Sequence, residues 1–151
     1  MIHTAKGSDI VALMARIVAH PDRYSTVTVC SPFVDKDMVV LLIRLAETTS
    51  HVQCGLRIIT SPAAAATLRE ALPGFPALAR QALVSRMGLH AKIYLVVARR
   101  NQGHSEAIVT SIFTKSGTGR NIELGCTQQQ GLSTAGISWP EVNDFLTRLA
   151  A

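Results

Sequence analysis

The chain lacks the features that mark several classes of protein. No apolar run reaches the ~18–20 residues that a membrane-spanning helix needs. Residues 1–7 do not contain the apolar core of a signal peptide, and the chain shows no internal repeat, linker or low-complexity tract. We therefore expect a soluble, cytoplasmic protein with no membrane partner.

Cysteine is also scarce. The three cysteines, Cys30, Cys54 and Cys126, stand far apart, in or beside strand-like apolar stretches. An odd number without paired spacing fits neither a disulfide framework nor a zinc site, so buried structural thiols are the simplest interpretation. No group of His, Asp and Glu residues has the spacing of metal ligands. We expect a site that uses no metal and no cofactor.

Acidic residues are nearly missing from one part of the chain. The formal net charge is +5, and Glu106 is the only acid between Val84 and Asn121. The basic residues of that stretch are Arg86, Lys92, Arg99, Arg100, Lys115 and Arg120. A basic surface attracts polyanions, and nucleic acid first among them. The alternative is ordinary solvated surface charge.

The first half of the chain alternates helices with strands. A length of 151 residues suits one domain, residues 1–151, with a proper core. Strands are predicted at two β-branched or apolar runs, Thr26–Cys30 and Leu56–Thr60. Helices are predicted before, between and after them, and their expected N-caps are Ser8-Asp9, Asp35 and Ser61. The first helix should stop at His20-Pro21-Asp22, and the third at Pro73-Gly74. This alternation predicts a parallel βαβ layer.

The second half is predicted to be richer in strands. A short helix is expected over Phe75–Leu83, and a final helix begins at Trp139. Between them, three strands joined by short loops are expected at 92–98, 107–113 and 122–127. Such strands tend to be antiparallel neighbours, so the whole chain is predicted to be a mixed α/β fold.

Two polar side chains begin the first of these strands. His90 and Lys92 lie in the run Leu89-His90-Ala91-Lys92-Ile93-Tyr94-Leu95. Residues i and i+2 of a strand point to the same face, so the imidazole and the ammonium would stand side by side. The pair suits a phosphate, because a histidine can attack phosphorus and a lysine can hold the non-bridging oxygens. Without further support, such a histidine is usually structural and such a lysine is usually solvated.

More polar residues follow downstream. Thr110 and Ser111 lie near the end of the next predicted strand, and Lys115–Gly119 forms a small-residue turn. Asn121 and Glu123 flank an isoleucine and therefore share one face of the strand after it.

Together these segments resemble the phospholipase D superfamily, most closely its short prokaryotic branch of nucleases and restriction-enzyme catalytic domains. The family pattern is H-x-K-x4-D, then G-S-x-N-x-T-x-x-G, and finally N-x-E. The segments that match are Leu89–Leu95, Ile108–Gly117 and Asn121–Leu124, while Cys30–Val34 resembles the first strand of the family and the turn after it. The likeness covers about residues 26 to 127. It implies a mixed β-sheet sandwiched by helices, with one half of the active site on each chain.

The sequence departs from the family pattern at several positions. The aspartate position is Val97, the glycine-serine pair falls on Val109-Thr110, and the asparagine position is Ile112. Losing the asparagine would remove a phosphate hydrogen bond, at a cost of about 2–4 kcal/mol in the transition state. Some family nucleases also lack the aspartate. The catalytic residues that remain are His90, Lys92 and Glu123.

The resemblance assigns roles to these residues. His90 is the candidate nucleophile that forms a phosphohistidine, and Glu123 accepts the proton of its other ring nitrogen. Lys92 binds the phosphoryl oxygens. Thr110 is either a phosphate donor or simply a β-branched strand residue. The other candidate substrate contacts are Ser111, Lys115, Ser116 and Asn121.

The number of motif copies bears on assembly. The family completes one active site from two copies, and this chain carries one, so we expect a homodimer with a shared groove. The leading hypothesis is a metal-independent phosphodiesterase that acts as a nuclease on DNA or RNA. The alternative is a catalytically weakened or inactive member that binds nucleic acid or another phosphorylated partner. A lipid or small-phosphodiester hydrolase is a third reading, disfavoured by the short chain.

Overall fold

The computed structural model describes residues 7–79, 81–89, 92–109, 128–129 and 139–151. The helices within these ranges are α1 (Gly7–Ala19), α2 (Lys36–Ser50), α3 (Pro62–Ala71), α4 (Pro76–Ala79) and α5 (Trp139–Ala150), with 3₁₀ turns at Pro21–Arg23 and Leu72–Gly74. The strands are β1 (Tyr24–Ser31), β2 (Gly55–Thr60), β3 (Ala82–Ser85), β4 (Ile93–Ala98), β5 (Glu106–Val109) and β6 (Gln128–Gln129).

The described strands form one mixed sheet in the order β3-β2-β1-β4-β5-β6. β1, β2 and β3 are parallel, and helices α2 and α3 connect them. β4 runs antiparallel to β1, β5 to β4, and β6 to β5. The predictions of a mixed α/β fold, of a parallel βαβ layer in the first half and of antiparallel strands in the second are therefore confirmed for these elements.

One face of the sheet packs against the first four helices. Alternate strand residues such as Val27 and Val29 point to this side and bury against leucines of α1 and α2. On β4, Tyr94 and Val96 belong to the same layer. This layer contains more buried apolar residues than the layer on the other face, and since burying a leucine or valine side chain is worth about 1.5–3 kcal/mol, it is the larger part of the described core.

The other face packs against α5. Ile93 and Leu95 of β4 point to this side, together with Cys30 of β1. Val142 and Leu146 of α5 cover them and are fully buried. The described sheet is therefore sandwiched between helices on both faces.

Helix starts follow the predicted caps in two cases. The Asp35 carboxylate accepts a hydrogen bond from the Met38 amide at 2.8 Å, and the Ser61 hydroxyl accepts one from the Ala64 amide at 3.3 Å. Each satisfies an amide that has no partner within the first turn of its helix. The prediction that Ser8-Asp9 cap the first helix was wrong, because α1 begins at Gly7 and these residues lie inside it.

The prediction of a short helix over Phe75–Leu83 is confirmed for Pro76–Ala79 and wrong for the residues after it. The helix α4 ends at Ala79, and Ala82–Ser85 form strand β3. Leu83 pairs with Ile58, so β3 extends the sheet beyond β2. A short apolar run fits a buried helix or a buried strand equally well. Here the run becomes a strand because the edge of β2 that does not face β1 offers it hydrogen-bond partners. The strand predicted at 122–127 lies outside the described residues, as do residues 110–113 of the strand before it.

Candidate functional site

The strands bring several chain segments to one end of the sheet. Ser31 of β1 pairs with Thr60 of β2, which pairs with Ser85 of β3, and all three strands finish there. β4 begins beside them, because Ile93 pairs with Cys30, and β5 finishes opposite Ile93 at Val109. We call this the upper end of the sheet. The carboxyl ends of parallel strands are where open α/β sheets bind ligands.

Two helices also begin at the upper end. The loops after β1 and β2 lead within a few residues into α2 and α3. A helix N-terminus carries about half a positive charge. At α2 this charge meets the exposed carboxylate of Asp35, whereas the cap of α3 is the neutral Ser61. The N-terminus of α3 is therefore the one that favours an anion more.

Hydrogen bonds hold the two loops together. The Thr60 hydroxyl donates to the Ser31 carbonyl at 2.7 Å, and the Ser61 hydroxyl donates to the Pro32 carbonyl at 2.7 Å. Thr60 is fully buried. These bonds fix the ends of β1 and β2 relative to each other, and with them the position of any group carried by the loop after β1.

Lys92 lies at this upper end, directly before β4. Its side chain is half-buried, and its Nζ atom sits 5.5 Å from the centre of the Phe33 ring, within the range of a cation–π contact. Among the described residues, the Lys92 ammonium has no carboxylate within 4 Å. The ion pair that these residues do form joins Arg16 to Glu106. Lys92 therefore makes no ion pair with these residues, and the Asp35 carboxylate lines the cavity beside its contact with Phe33.

Tyr94 lies two residues further along β4. Burial raises the pKa of its phenol above the ordinary value, and the nearby Cys30 thiol, when ionised, and the Asp35 carboxylate raise this pKa further. The phenol is neutral at physiological pH and adds no negative charge to the neighbourhood of Lys92.

A shallow cavity lies beside the Lys92–Phe33 contact. Its volume is about 310 Å³, near the lower limit for small-molecule sites. Its lining residues come from the loop after β1 and from the first turns of α3: Pro32, Phe33, Val34, Asp35, Ser61, Ala63, Ala64 and Thr67.

Most of the predicted site residues lie outside the described residues. These are His90, Glu123, Thr110, Ser111, Lys115, Ser116 and Asn121, and also Ile112. Of the predicted set, the structure places Lys92 alone. Leu89, which precedes His90, is buried, and Val109, which precedes Thr110, ends β5 at the upper end.

Val97, at the aspartate position of the family pattern, lies away from Lys92. It pairs with Thr26 near the other end of the sheet. Five residues of strand cover about 16 Å, and the odd separation puts the two residues on opposite faces. The Val97 side chain packs in the layer covered by α5. A valine at this position therefore removes no group from the upper end.

The basic stretch does not form one surface in the described part of the chain. Arg99 follows β4 at the end opposite to Lys92, and its guanidinium donates to the Val52 carbonyl at 2.8 Å. Arg86 is nearer the upper end, but its Nε donates to the Leu149 carbonyl at 2.7 Å and another guanidinium nitrogen donates to the Ala151 carbonyl. Arg99 is therefore bonded to the turn after α2, and Arg86 to the C-terminal turn of α5. Of the expected basic surface, the described residues therefore place the ammonium of Lys92 at the upper end of the sheet.

Phe33, which contacts Lys92, is not among the residues that the motif assigns to the site. In the sequence it belongs to the segment Cys30–Val34, which indicates only a strand and the turn after it. The available signal was a phenylalanine placed directly after Ser31-Pro32, where the strand has already ended and an apolar side chain has no reason to be buried.

Other site types find no support among the described residues. No group of three or more His, Cys, Asp or Glu side chains there could hold a metal ion, and none of the helices described is long and apolar enough to cross a membrane. Cys30 and Cys54 are buried, as predicted, and Cys126 lies outside the described residues. Burial raises the pKa of Cys30 to about 12, so this thiol is not a nucleophile at neutral pH.

Comparison of the chain with protein-family models, with curated proteins and with solved structures finds no match.

Proposed function

We propose that this chain is a metal-independent phosphodiesterase of phospholipase D type, acting as a nuclease on DNA or RNA. The observation that carries the proposal is the setting of Lys92. A half-buried ammonium with no carboxylate partner among the described residues lies where two helices begin and four strands end. Such a place favours a phosphate, because the Lys92 ammonium and the dipole of α3, whose cap is the neutral Ser61, act on the anion in the same direction.

The sequence motif supplies the chemistry of the proposal. His90 attacks phosphorus, a P–N bond forms, and the bond from phosphorus to the leaving oxygen breaks. A second histidine donates the proton that the leaving oxygen takes up. Water then attacks the phosphohistidine, the P–N bond breaks, and the same second histidine accepts the proton of that water. Lys92 holds the non-bridging oxygens through both steps.

The second histidine belongs, in this proposal, to a second copy of the chain. One copy of the motif supplies one His90 and one Lys92. A two-fold axis would place the two motifs across one groove, and a symmetric dimer is the simplest closed assembly. The phospholipase D-like arrangement of the sheet is part of the same proposal.

A second candidate function is binding without cleavage. Ile112 favours it, because an isoleucine cannot donate the hydrogen bond expected of asparagine at this position of the motif. The estimated loss of about 2–4 kcal/mol corresponds to a rate reduced roughly 30- to 1000-fold. Val97 adds little to this argument, since its side chain lies on the other face of the sheet from Lys92.

The test is cleavage in the presence of EDTA. Plasmid, single-stranded DNA and RNA are incubated with the parent protein and with His90→Ala and Lys92→Met. Cleavage should disappear with His90→Ala and fall about 100- to 1000-fold with Lys92→Met, since the transition-state charge loses its cation.

The matched control is Lys36→Met, which removes an exposed lysine from the first turn of α2 at the same upper end. It should change the rate less than fivefold. Equal losses for the two lysine variants would mean general attraction of a polyanion and would contradict the assigned role of Lys92. Salt-sensitive binding without any cleavage would favour the second candidate, and a strictly monomeric active protein in sedimentation would contradict the shared site.

A further inference from the structure

We propose that Phe33 is a stacking platform for a base of single-stranded nucleic acid. The inference rests on the proposed function, because it names the form of nucleic acid that the Lys92 site accepts. It adds a specificity-determining residue that lies outside the motif.

The first support is the exposure of the ring. Phe33 is 71% exposed, and no other described aromatic side chain is as exposed; Phe75 follows at 38%. Most of the surface of the ring is therefore accessible to a ligand. Exposed aromatic side chains that lie beside cations are the usual means by which proteins bind single strands.

The second support is that the loop holds the ring in a defined place. The Ser31 hydroxyl donates to the Phe33 carbonyl at 2.8 Å, and the Phe33 amide lies 3.4 Å from the same hydroxyl oxygen, to which it donates. Pro32, between them, is buried. A side chain presented by an ordered loop loses little conformational freedom when a ligand stacks on it.

The third support is the neighbouring charge. The Lys92 ammonium lies over the ring, 5.5 Å from its centre, so the high exposure of the ring must come from its other surfaces. A nucleotide carries a flat base and a phosphate on one unit of the chain. A base on the free side of the ring and a phosphate at the ammonium would engage both groups at once. The cavity of about 310 Å³ beside the ring leaves room for the base.

The form of nucleic acid follows from the geometry of stacking. In a duplex, the faces of the bases are covered by their neighbours, and the phosphates remain accessible. A stacking ring therefore adds affinity for an unpaired strand and adds nothing for a duplex.

The test measures binding of fluorescent oligonucleotides, single-stranded and duplex, by anisotropy in EDTA. All variants carry His90→Ala, so that the probe is not cut. Phe33→Leu should weaken binding of the single strand about 5- to 100-fold and leave duplex binding within twofold. Phe33→Trp should keep the affinity, and the single strand should quench the fluorescence that this variant shows beyond that of Trp139 in its parent. Phe75→Leu is the matched control, and it should change neither affinity.

Three results would overturn the inference: an unchanged affinity of Phe33→Leu for the single strand, an equal loss for both probes, or a loss that tracks dissociation of a dimer in sedimentation. The last would assign Phe33 to a contact between copies. Failure of the proposed function is seen separately in the cleavage assay. Cleavage that depends on His90, with Phe33→Leu binding single strands normally, would refute the platform alone. Absence of cleavage, with binding that depends on Phe33, would refute the nuclease and leave the platform supported.

Discussion

Replacing Thr60 by valine should weaken the fold by about 2 kcal/mol. The Thr60 side chain is fully buried, and its hydroxyl donates to the Ser31 carbonyl at 2.7 Å, which ties the end of β2 to the end of β1. Valine has the same shape, so the packing is kept and only the donor is lost. A buried carbonyl that loses its partner costs about 1–3 kcal/mol.

Urea unfolding followed by circular dichroism measures this change. A loss of about 2 kcal/mol makes unfolding roughly 30-fold more favourable, and for a chain of this size it lowers Tm by about 4–8 °C. The control is Thr67→Val, in which the hydroxyl of an exposed helical threonine is removed from the Ala63 carbonyl at 3.3 Å. That variant should stay within about 0.5 kcal/mol of the parent. If Thr60→Val is as stable as Thr67→Val, the bond between the strand ends does not stabilise the fold.

Two further predictions concern other residues. Ile112→Asn should raise cleavage in EDTA at least tenfold if the missing phosphate hydrogen bond limits the rate, and an unchanged rate would refute that account of the position. Burial raises the pKa of Cys30 to about 12 from 9.0, so the folded chain keeps a proton that the unfolded chain releases above about pH 9. The free energy of unfolding should therefore fall as pH rises from about 9 towards 12, by up to about 1.4 kcal/mol per pH unit for this thiol. Urea titrations should show a shallower fall in Cys30→Ala, and parallel pH curves for the two proteins would contradict the assignment.

Local sequence signals predicted the first half of the fold well. Asp35 and Ser61 cap their helices as expected, and the strands containing Thr28 and Ile58 pair in parallel. In these cases the residue type decides the local conformation by itself. The strand β3 was missed, because its four residues become a strand only through pairing with β2, and nothing in the run Ala82–Ser85 signals that partner.

Part of the candidate site could likewise be predicted from local sequence, and part depended on strand pairing. The placement of Lys92 at the start of a strand could be read from the alternation of polar and apolar residues. Its contact with Phe33 could not, since that contact depends on which strand lies next to β4. The position of Val97 also needed the structure. The motif gives only the spacing of residues along the chain, whereas their face and end of the sheet depend on the strand that carries them.

The pairing of β1 with β4 has a consequence for how the chain folds. Phe33 lies in the loop between β1 and α2, whereas Lys92 follows β3, so no local segment can form their contact. Closing a long loop costs conformational entropy, and the contacts between distant strands offset this cost only after the strands have paired. The contact therefore forms only once β4 has joined the sheet, and a partly folded chain that has completed β1, α2 and β2 still lacks it. Phe33→Trp would turn this late event into an optical signal, because the fluorescence that this variant adds to that of Trp139 comes from an indole under the Lys92 ammonium and reports docking of β4.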